Sequence, residues 1–150
     1  MKKISVVVPT LNEEEFIERC LTNLNNQTLL RKEYEIVVSD SSSTDSTIEK
    51  AKPLADKITV CKKVSAGFGK NHGAKAASTP LIVFVDADTM ASKTFVEGAL
   101  EALKDAVAAT GPISALEKDS IRIRLFYKWW SLQSRLTVAL HYPIFPGFNF

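Results

Sequence analysis

The chain has 150 residues, 45% of them hydrophobic and 24% charged, which is enough for one globular domain with a real core. Its formal net charge of +2 is too small to indicate a nucleic-acid-binding protein, so no nucleic-acid partner is expected. Cys20 and Cys61 are too few for a disulfide framework or a zinc site, and both are expected to be buried, reduced thiols. No apolar stretch reaches the roughly 20 residues that cross a bilayer, and no signal-peptide pattern is present. We therefore expect a cytoplasmic chain, or the cytoplasmic part of a larger protein.

The hydrophobic pattern alternates short strands with helices over residues 1–110. Four apolar runs predict strands, at residues 4–8, 34–39, 58–61 and 81–85. A first helix is expected from Asn12, which would act as the N-cap with Glu15 as its capping-box partner. A second, short helix is expected between Ser41 and Pro53. Further helices are expected over 67–78 and from Ser92, with a last strand at 106–110. This alternation favours an α/β fold, with a parallel sheet between helices on both faces.

Residues 111–150 have a different character. The segment 121–130 is basic and aromatic, and a helix is expected over about 118–140. A basic amphipathic helix either lies on an anionic membrane surface or packs as a core or interface helix, and both interpretations stay open. The apolar ending at Phe148 and Phe150 indicates that the polypeptide continues or that this end packs against something. We interpret 111–150 as the start of an apparently truncated second region.

Asp86 and Asp88 directly follow the run 81–85, which is typical of a strand buried on both faces of a parallel sheet. Ligands bind at the carboxyl ends of strands in such sheets. In an extended chain, residues i and i+2 point to the same side, so the two carboxylates would suit a hard cation such as Mn²⁺ or Mg²⁺. The alternative is an acidic loop that caps the next helix.

Other polar residues fall at the ends of the predicted strands and would share this edge. Thr10 follows the first strand, Asp40 follows the second, and Lys70 lies near the start of a helix. A carboxylate accepts hydrogen bonds from a base or ribose, and a lysine answers phosphate charge. The set suits a nucleoside diphosphate. The alternative interpretation of Lys70 is that it is a solvated surface residue. Gly67, Gly69 and Gly73 do not complete a dinucleotide fingerprint, because its third glycine falls at His72. We interpret these glycines as allowing close approach to the sheet or a ligand.

Four segments in order resemble the inverting family-2 glycosyltransferases of the GT-A fold: residues 5–13, 36–45, 69–74 and 84–88. The resemblance implies a three-layer, Rossmann-like nucleotide-diphospho-sugar transferase fold with a mostly parallel central sheet. It implies a nucleotide-sugar-binding set made of Pro9, Thr10, Glu13, Asp40, Lys70 and Asp86. In this set Pro9 and Glu13 flank the nucleoside, Asp40 meets the base, and Lys70 stands where the family often has arginine. Asp88 and Asp86 would hold the divalent cation, Mn²⁺ or Mg²⁺.

The activity implied is metal-dependent, inverting sugar transfer from a UDP- or GDP-linked donor to a sugar, lipid-phosphate or polysaccharide acceptor. This activity is compatible with a location in the cytoplasm or at the inner face of the membrane. It is also compatible with a homodimer. The family's general base is a carboxylate in a downstream acidic motif, which does not follow before Phe150, so the base is expected outside this chain. Glu117 and Asp119 are the nearest substitutes. The alternatives are a nucleotidyltransferase, which would usually have a basic, glycine-rich loop where Glu13 lies, and a non-catalytic nucleotide-binding or assembly module.

Overall fold

The computed structural model describes residues 1–109, together with Gly111, Trp129 and Leu132. Met1–Ala109 fall in one compact unit, and Thr110–Asn149 form a second. Trp129 and Leu132 are helical and exposed, and the rest of the helix predicted over 118–140 lies outside the described residues. Within the described part of the chain, no helix has the length and apolarity needed to span a membrane.

The first unit is built on one four-stranded sheet, in which every strand is parallel to its neighbours. The strands, in chain order, are β1 (Ile4–Thr10), β2 (Tyr34–Asp40), β3 (Lys57–Val60) and β4 (Ile82–Phe84). The order across the sheet is β3-β2-β1-β4, so β1 lies between β2 and β4. The helices are α1 (Ile17–Asn25), α2 (Thr47–Ala51), α3 (Ala66–Ala76) and α4 (Phe95–Ala102), with a 3₁₀ turn at Arg31–Glu33.

Helices cover both faces of the sheet. Alternate residues of β1 and β2 pack with α1, α2 and α4 in one apolar cluster, as strand periodicity requires. Its buried members include Val6, Val8, Ile36, Val38, Leu21, Leu24, Ala51 and Val96. Helix α3 lies on the opposite face, against β1 and β2. The expected α/β architecture with a parallel sheet between two helical layers is therefore confirmed.

Helix α3 approaches the sheet closely because it carries a glycine at the contact. A Cβ built on Gly73 would lie 2.5 Å from Val7 Cγ1 and 2.8 Å from Ser39 Cβ. Ser39 Oγ also donates to the carbonyl oxygen of Gly69, at 2.8 Å. The interpretation of Gly73 as a close-approach residue is confirmed, and the contact brings Lys70 near the carboxyl edge of the sheet.

Two local expectations are wrong. Asn12 does not cap α1, which begins at Ile17 after a turn in which Phe16 N donates to the carbonyl oxygen of Glu13, at 3.0 Å. The side-chain oxygen of Asn12 instead accepts a hydrogen bond from Thr44 N. The strand expected at 106–110 does not form over its described residues, 106–109, which are exposed. A strand needs a paired neighbour, and the sheet of the described residues ends at β3 and β4.

The burial expected for the fourth strand is also wrong. Ile82, Val83 and Phe84 are each only partly buried, although Val85 is 1% exposed. The physical reason is position, since β4 pairs with β1 on one side and is an edge of the sheet in the described residues. The two thiols behave as expected, because Cys20 and Cys61 are both free and buried.

Candidate functional site

The polar strand ends meet at one edge of the sheet. Thr10 and Asp40 are register partners at the last positions of β1 and β2. On the other side of β1, Val85 N donates to the carbonyl oxygen of Val7, at 3.0 Å, just before Asp86. Because β1 is the central strand of the three, Asp40 and Asp86 lie on opposite sides of it. The edge therefore has a β1–β2 side and a β4 side.

The carboxylates at the end of β4 are presented by a turn. Thr89 N donates to the carbonyl oxygen of Asp86, at 2.9 Å, which closes a four-residue turn. Ala87 is 4% exposed and belongs to the core cluster, whereas Asp86 is half-buried and Asp88 is exposed. The expected extended geometry is wrong, because the turn intervenes. The turn buries Ala87 in the core and leaves the carboxylates on either side of it accessible to solvent.

Lys70 reaches the β4 side from α3. Its Nζ lies 3.3 Å from Asp86 Oδ1, and the two side chains are 15% and 31% exposed. An ion pair that is half removed from water is less screened than one at an open surface. The structure thus brings together Lys70 and Asp86, which the sequence places on separate elements.

Glu13 lies close to the same carboxylates. Burial raises the pKa of the Glu13 carboxyl above its usual value, and the charges of Asp88, Asp45 and Asp86 raise it further. Negative charge is therefore concentrated between the loop after β1 and the turn after β4. A divalent cation would relieve this repulsion, and carboxylate oxygens are the donors that Mg²⁺ and Mn²⁺ prefer.

The number of protein ligands bears on which cation chemistry fits. Among the described residues, no group of three or more His, Cys, Asp or Glu side chains is arranged to hold a metal ion. Asp86 and Asp88 alone supply two carboxylates. This donor set fits a cation that completes its coordination with water and phosphate oxygens, which is how Mg²⁺ is usually bound in phosphate-transfer sites.

Cys20 supports the turn from below. Its Sγ contacts the carbonyl oxygen of Asp86 at 3.9 Å, and the residue is 1% exposed on the buried face of α1. Burial, followed by the negative charge of Asp88, raises the pKa of the Cys20 thiol to about 12. The thiol is therefore a packing group under the carboxylates.

Asp40 occupies the β1–β2 side and is fully buried. Its Oδ1 accepts hydrogen bonds from Thr10 Oγ1, at 2.9 Å, and from Ser43 Oγ, at 2.5 Å. Its Oδ2 accepts from Ser43 N, at 2.8 Å. Three donors offset the cost of burying the carboxylate, and they tie the end of β1 to the loop after β2.

Asn12, Ser43 and Thr44 are structural elements of the site that sequence reasoning missed. They link the loop after β1 to the loop after β2, across 31 and 32 residues of chain. Asn12 adopts a φ of 57°, in the left-handed region that asparagine tolerates better than most residues. An asparagine soon after a strand was the available signal, since it favours such a turn as well as a helix cap.

A surface hollow of about 810 Å³ lies beside the outer face of α1 and extends to Glu14, in the loop after β1. Its lining includes Glu18 and Arg19 of α1, Lys50 of α2, and Met90 and Lys93. None of the residues predicted to bind a nucleotide-sugar lines it. The predicted residues therefore lie at the edge of the sheet and outside the lining of this hollow.

The fold and the edge together define an α/β protein of the GT-A nucleotide-sugar-transferase type. The chain belongs to the family described as Glycosyl transferase family 2, which matches residues 5–146. The resemblance that the four sequence segments indicated is therefore confirmed.

Relatives of known activity agree with this assignment. The chain is 33% identical over 105 residues to validoxylamine A glucosyltransferase of Streptomyces hygroscopicus subsp. limoneus. The matched region covers 66% of this chain and 23% of that protein. Residues 1–349 of Staphylococcus aureus TarS, in complex with UDP-GlcNAc, superpose with a TM-score of 0.60 and 27% identity, over 77% of this chain and 38% of that one. The mannosyltransferase PcManGT of Pyrobaculum calidifontis, in complex with GDP-Man and Mn²⁺, gives a TM-score of 0.61 and 28% identity, over 77% and 36%. The chain spans about a quarter of the first relative and less than half of either solved structure.

Proposed function

We propose that this chain is the donor-binding part of a metal-dependent glycosyltransferase that transfers a sugar from a nucleoside-diphosphate-sugar with inversion. The observation that carries the proposal is the β4 side of the edge, where Asp86 and Asp88 leave the core together and Lys70 lies 3.3 Å from Asp86. Family membership supports the same chemistry, as do the UDP-GlcNAc and GDP-Man complexes of its structural neighbours.

Asp88, aided by Asp86, would hold Mn²⁺ or Mg²⁺, which supplies charge neutralisation for a departing nucleoside diphosphate. Lys70 adds a positive charge on the same side and would contact a phosphate oxygen of the donor. Cys20 contacts the backbone of the turn and Ala87 packs in the core, and these contacts would hold the two carboxylates in place. These residues bind and orient the leaving group.

The bond changes follow from inversion. An acceptor hydroxyl oxygen forms a bond to the anomeric carbon while the bond from that carbon to the diphosphate oxygen breaks. The acceptor proton passes to a carboxylate that acts as the general base. We assign the described carboxylates of the edge to donor binding, because a negatively charged general base at that place would repel the phosphates.

The β1–β2 side is proposed to receive the nucleoside. Pro9, Thr10 and Glu13 line the end of β1 and the loop after it, and Asp40 lies at the end of β2. Uridine and guanosine are both candidates, because one structural neighbour is bound to UDP-GlcNAc and another to GDP-Man.

The acceptor is proposed to be a sugar, a lipid phosphate or a polysaccharide. The basic aromatic segment 121–130 supports a protein that works at the cytoplasmic face of a membrane. Flotation of the full-length protein with anionic liposomes tests this. Association that disappears when the arginines of the segment are replaced by glutamine would support the membrane location, and absence of association would rule it out.

Calorimetry on the full-length protein tests the donor site. We expect UDP or GDP to bind in the presence of Mn²⁺, and Asp88→Ala to remove the Mn²⁺-dependent part of that binding. Asp105→Ala is the matched control, because Asp105 is an exposed aspartate outside the edge and its loss should leave binding unchanged. Unchanged Mn²⁺-dependent binding in Asp88→Ala would count against the proposal.

A further inference from the structure

Asn12, Ser43 and Thr44 form a reciprocal contact between two loops, which we call the clasp. Asn12 N donates to Ser43 Oγ, at 2.8 Å, and Asn12 Oδ1 accepts from Thr44 N, at 2.9 Å. Thr44 Oγ1 lies 3.4 Å from the same oxygen. The left-handed backbone at Asn12 is what allows its amide and its side chain to face the second loop together.

The clasp continues inward to Asp40. The Ser43 hydroxyl accepts from Asn12 N and donates to Asp40 Oδ1, while Ser43 N donates to Asp40 Oδ2. Asp40 has no exposed surface, so in this structure a ligand would meet the residues bonded to its side chain and not the carboxylate itself. Those residues are Thr10, at the end of β1, and Ser43, in the loop after β2.

Charge distinguishes the two sides of the edge. On the β1–β2 side, the buried carboxylate of Asp40 already accepts three hydrogen bonds from within the protein. Lys70 and the proposed cation site lie on the β4 side. A polyanionic diphosphate is therefore favoured beside β4, and an uncharged, hydrogen-bonding base and ribose fit beside the clasp.

We propose that the clasp is a positioning device for the nucleoside, in which Ser43 and Asn12 act through buried Asp40 to fix the end of β1 against the loop after β2. The proposal rests on the donor-binding function above and assigns a role to residues of that same site. Ser43, Asn12 and Thr44 are positioning residues, since none of them is required to touch the reacting atoms.

The test compares Ser43→Ala with Ser43→Thr in the full-length protein. Thr restores a hydroxyl at the same place, whereas Ala leaves the buried Asp40 carboxylate with one donor fewer. Affinities for nucleoside diphosphate and for the matching nucleoside monophosphate are measured by calorimetry with Mn²⁺, using UDP with UMP and GDP with GMP. We expect Ser43→Ala to weaken both ligands of the binding pair by the same factor, about tenfold. The loop must then be ordered against Asp40 when the nucleoside binds, and the lost hydrogen bond sets the scale of that cost. Ser43→Thr is expected to restore most of the affinity.

Each other outcome has a defined meaning. Equal affinity in wild type and Ser43→Ala, or no recovery in Ser43→Thr, would overturn the clasp proposal and leave the donor site intact. A loss confined to the diphosphate would place the clasp on the phosphate side and also overturn it. Wild-type protein that binds neither UDP nor GDP would refute the donor-binding function itself.

A second variant guards against misfolding of Ser43→Ala. Asn12→Gly keeps the left-handed backbone and the amide donor but removes the oxygen that holds Thr44. Because Asn12 is exposed, a smaller effect is expected, about threefold weaker binding of both nucleotides with little change in melting temperature. Unaltered binding of both nucleotides in this variant would likewise contradict the proposal.

Discussion

Lys70 Nζ lies 3.3 Å from Asp86 Oδ1, and this contact joins helix α3 to the turn that follows β4. It depends on Gly73, three residues further along α3, because that glycine lets the helix lie directly on β1 and β2. The position of a charged group in the site is therefore set by the absence of a side chain one helical turn away.

Replacing Lys70 tests its role in donor binding. Lys70→Met should weaken nucleoside-diphosphate binding about tenfold, because it removes a charge-assisted contact and leaves Asp86 without its partner. Lys70→Arg should retain most of the affinity, since the charge remains although its geometry changes. Calorimetry with Mn²⁺ and UDP or GDP measures both.

The control for Lys70→Met is Lys75→Met, on an exposed position of the same helix. It should bind the nucleotide as wild type does. Equal losses in the two variants would show a general charge effect and would contradict a specific role for Lys70.

Gly73→Ala should lower the free energy of unfolding by about 1–3 kcal/mol, the usual cost of overpacking a filled interface. The added methyl would lie 2.5 Å from Val7 Cγ1, so the helix must move away from the sheet. Urea denaturation measures the change. Gly98→Ala is the matched control, because Gly98 is inside α4 with nothing within 4 Å of its Cβ position.

In that control the helix propensity of alanine should raise the stability by up to about 1 kcal/mol. The sign of the two effects is therefore opposite for the same substitution. A neutral or stabilising Gly73→Ala would mean that α3 does not need the close approach.

Glu35 predicts a specific pH dependence of stability. It is 5% exposed and accepts hydrogen bonds from Ser5 Oγ, at 2.5 Å, and from Ser78 N, at 2.6 Å. Burial by itself raises the pKa of the Glu35 carboxyl, but these bonds, with Lys2 nearby, hold it below its ordinary value of 4.5. A lowered folded-state pKa stabilises the protein above the unfolded-state pKa, and this stabilisation is lost as the pH falls through the folded value.

Glu35→Gln should therefore be destabilising at roughly pH 7, and the difference from wild type should shrink at roughly pH 3.5. Urea denaturation at both pH values measures it. Glu15→Gln, at an exposed position, should show little difference at either pH. A Glu35→Gln difference that does not vary with pH would contradict the assignment.

Cys20 should resist thiol reagents in the folded protein. The residue is 1% exposed and its pKa is raised to about 12, so almost no thiolate is present near neutral pH. Alkylation by iodoacetamide followed by mass spectrometry should find Cys20 unmodified under native conditions and modified in urea. Rapid native labelling of Cys20 would contradict its place under the Asp86 turn.

The sequence predicts this fold well because short apolar runs mark β1 and β2, whose residues are buried on both faces of the sheet. It also predicts that Asp86 and Asp88 follow the fourth strand, although a turn replaces the extended geometry expected for them. Gly73 is predictable as a close-approach position, although its partners Val7 and Ser39 are not.

What the sequence does not predict depends on distant contacts. Asn12 fits a helix cap and a left-handed turn equally well, and Ser43 and Thr44, far along the chain, decide between them. The apolar run of β4 fits a central strand as well as an edge strand. Strand order, which no local pattern encodes, decides that case.

The two sides of the site differ in how much chain must be made before they form. Thr10 and Asp40 meet across 30 residues, whereas Cys20 and Asp86 meet across 66. During synthesis from the N-terminus, the β1–β2 side can assemble while the chain that carries the Asp86 turn is still emerging from the ribosome. Asp40 would thus be buried with its three donors first, and the acidic turn would add to an edge that already exists.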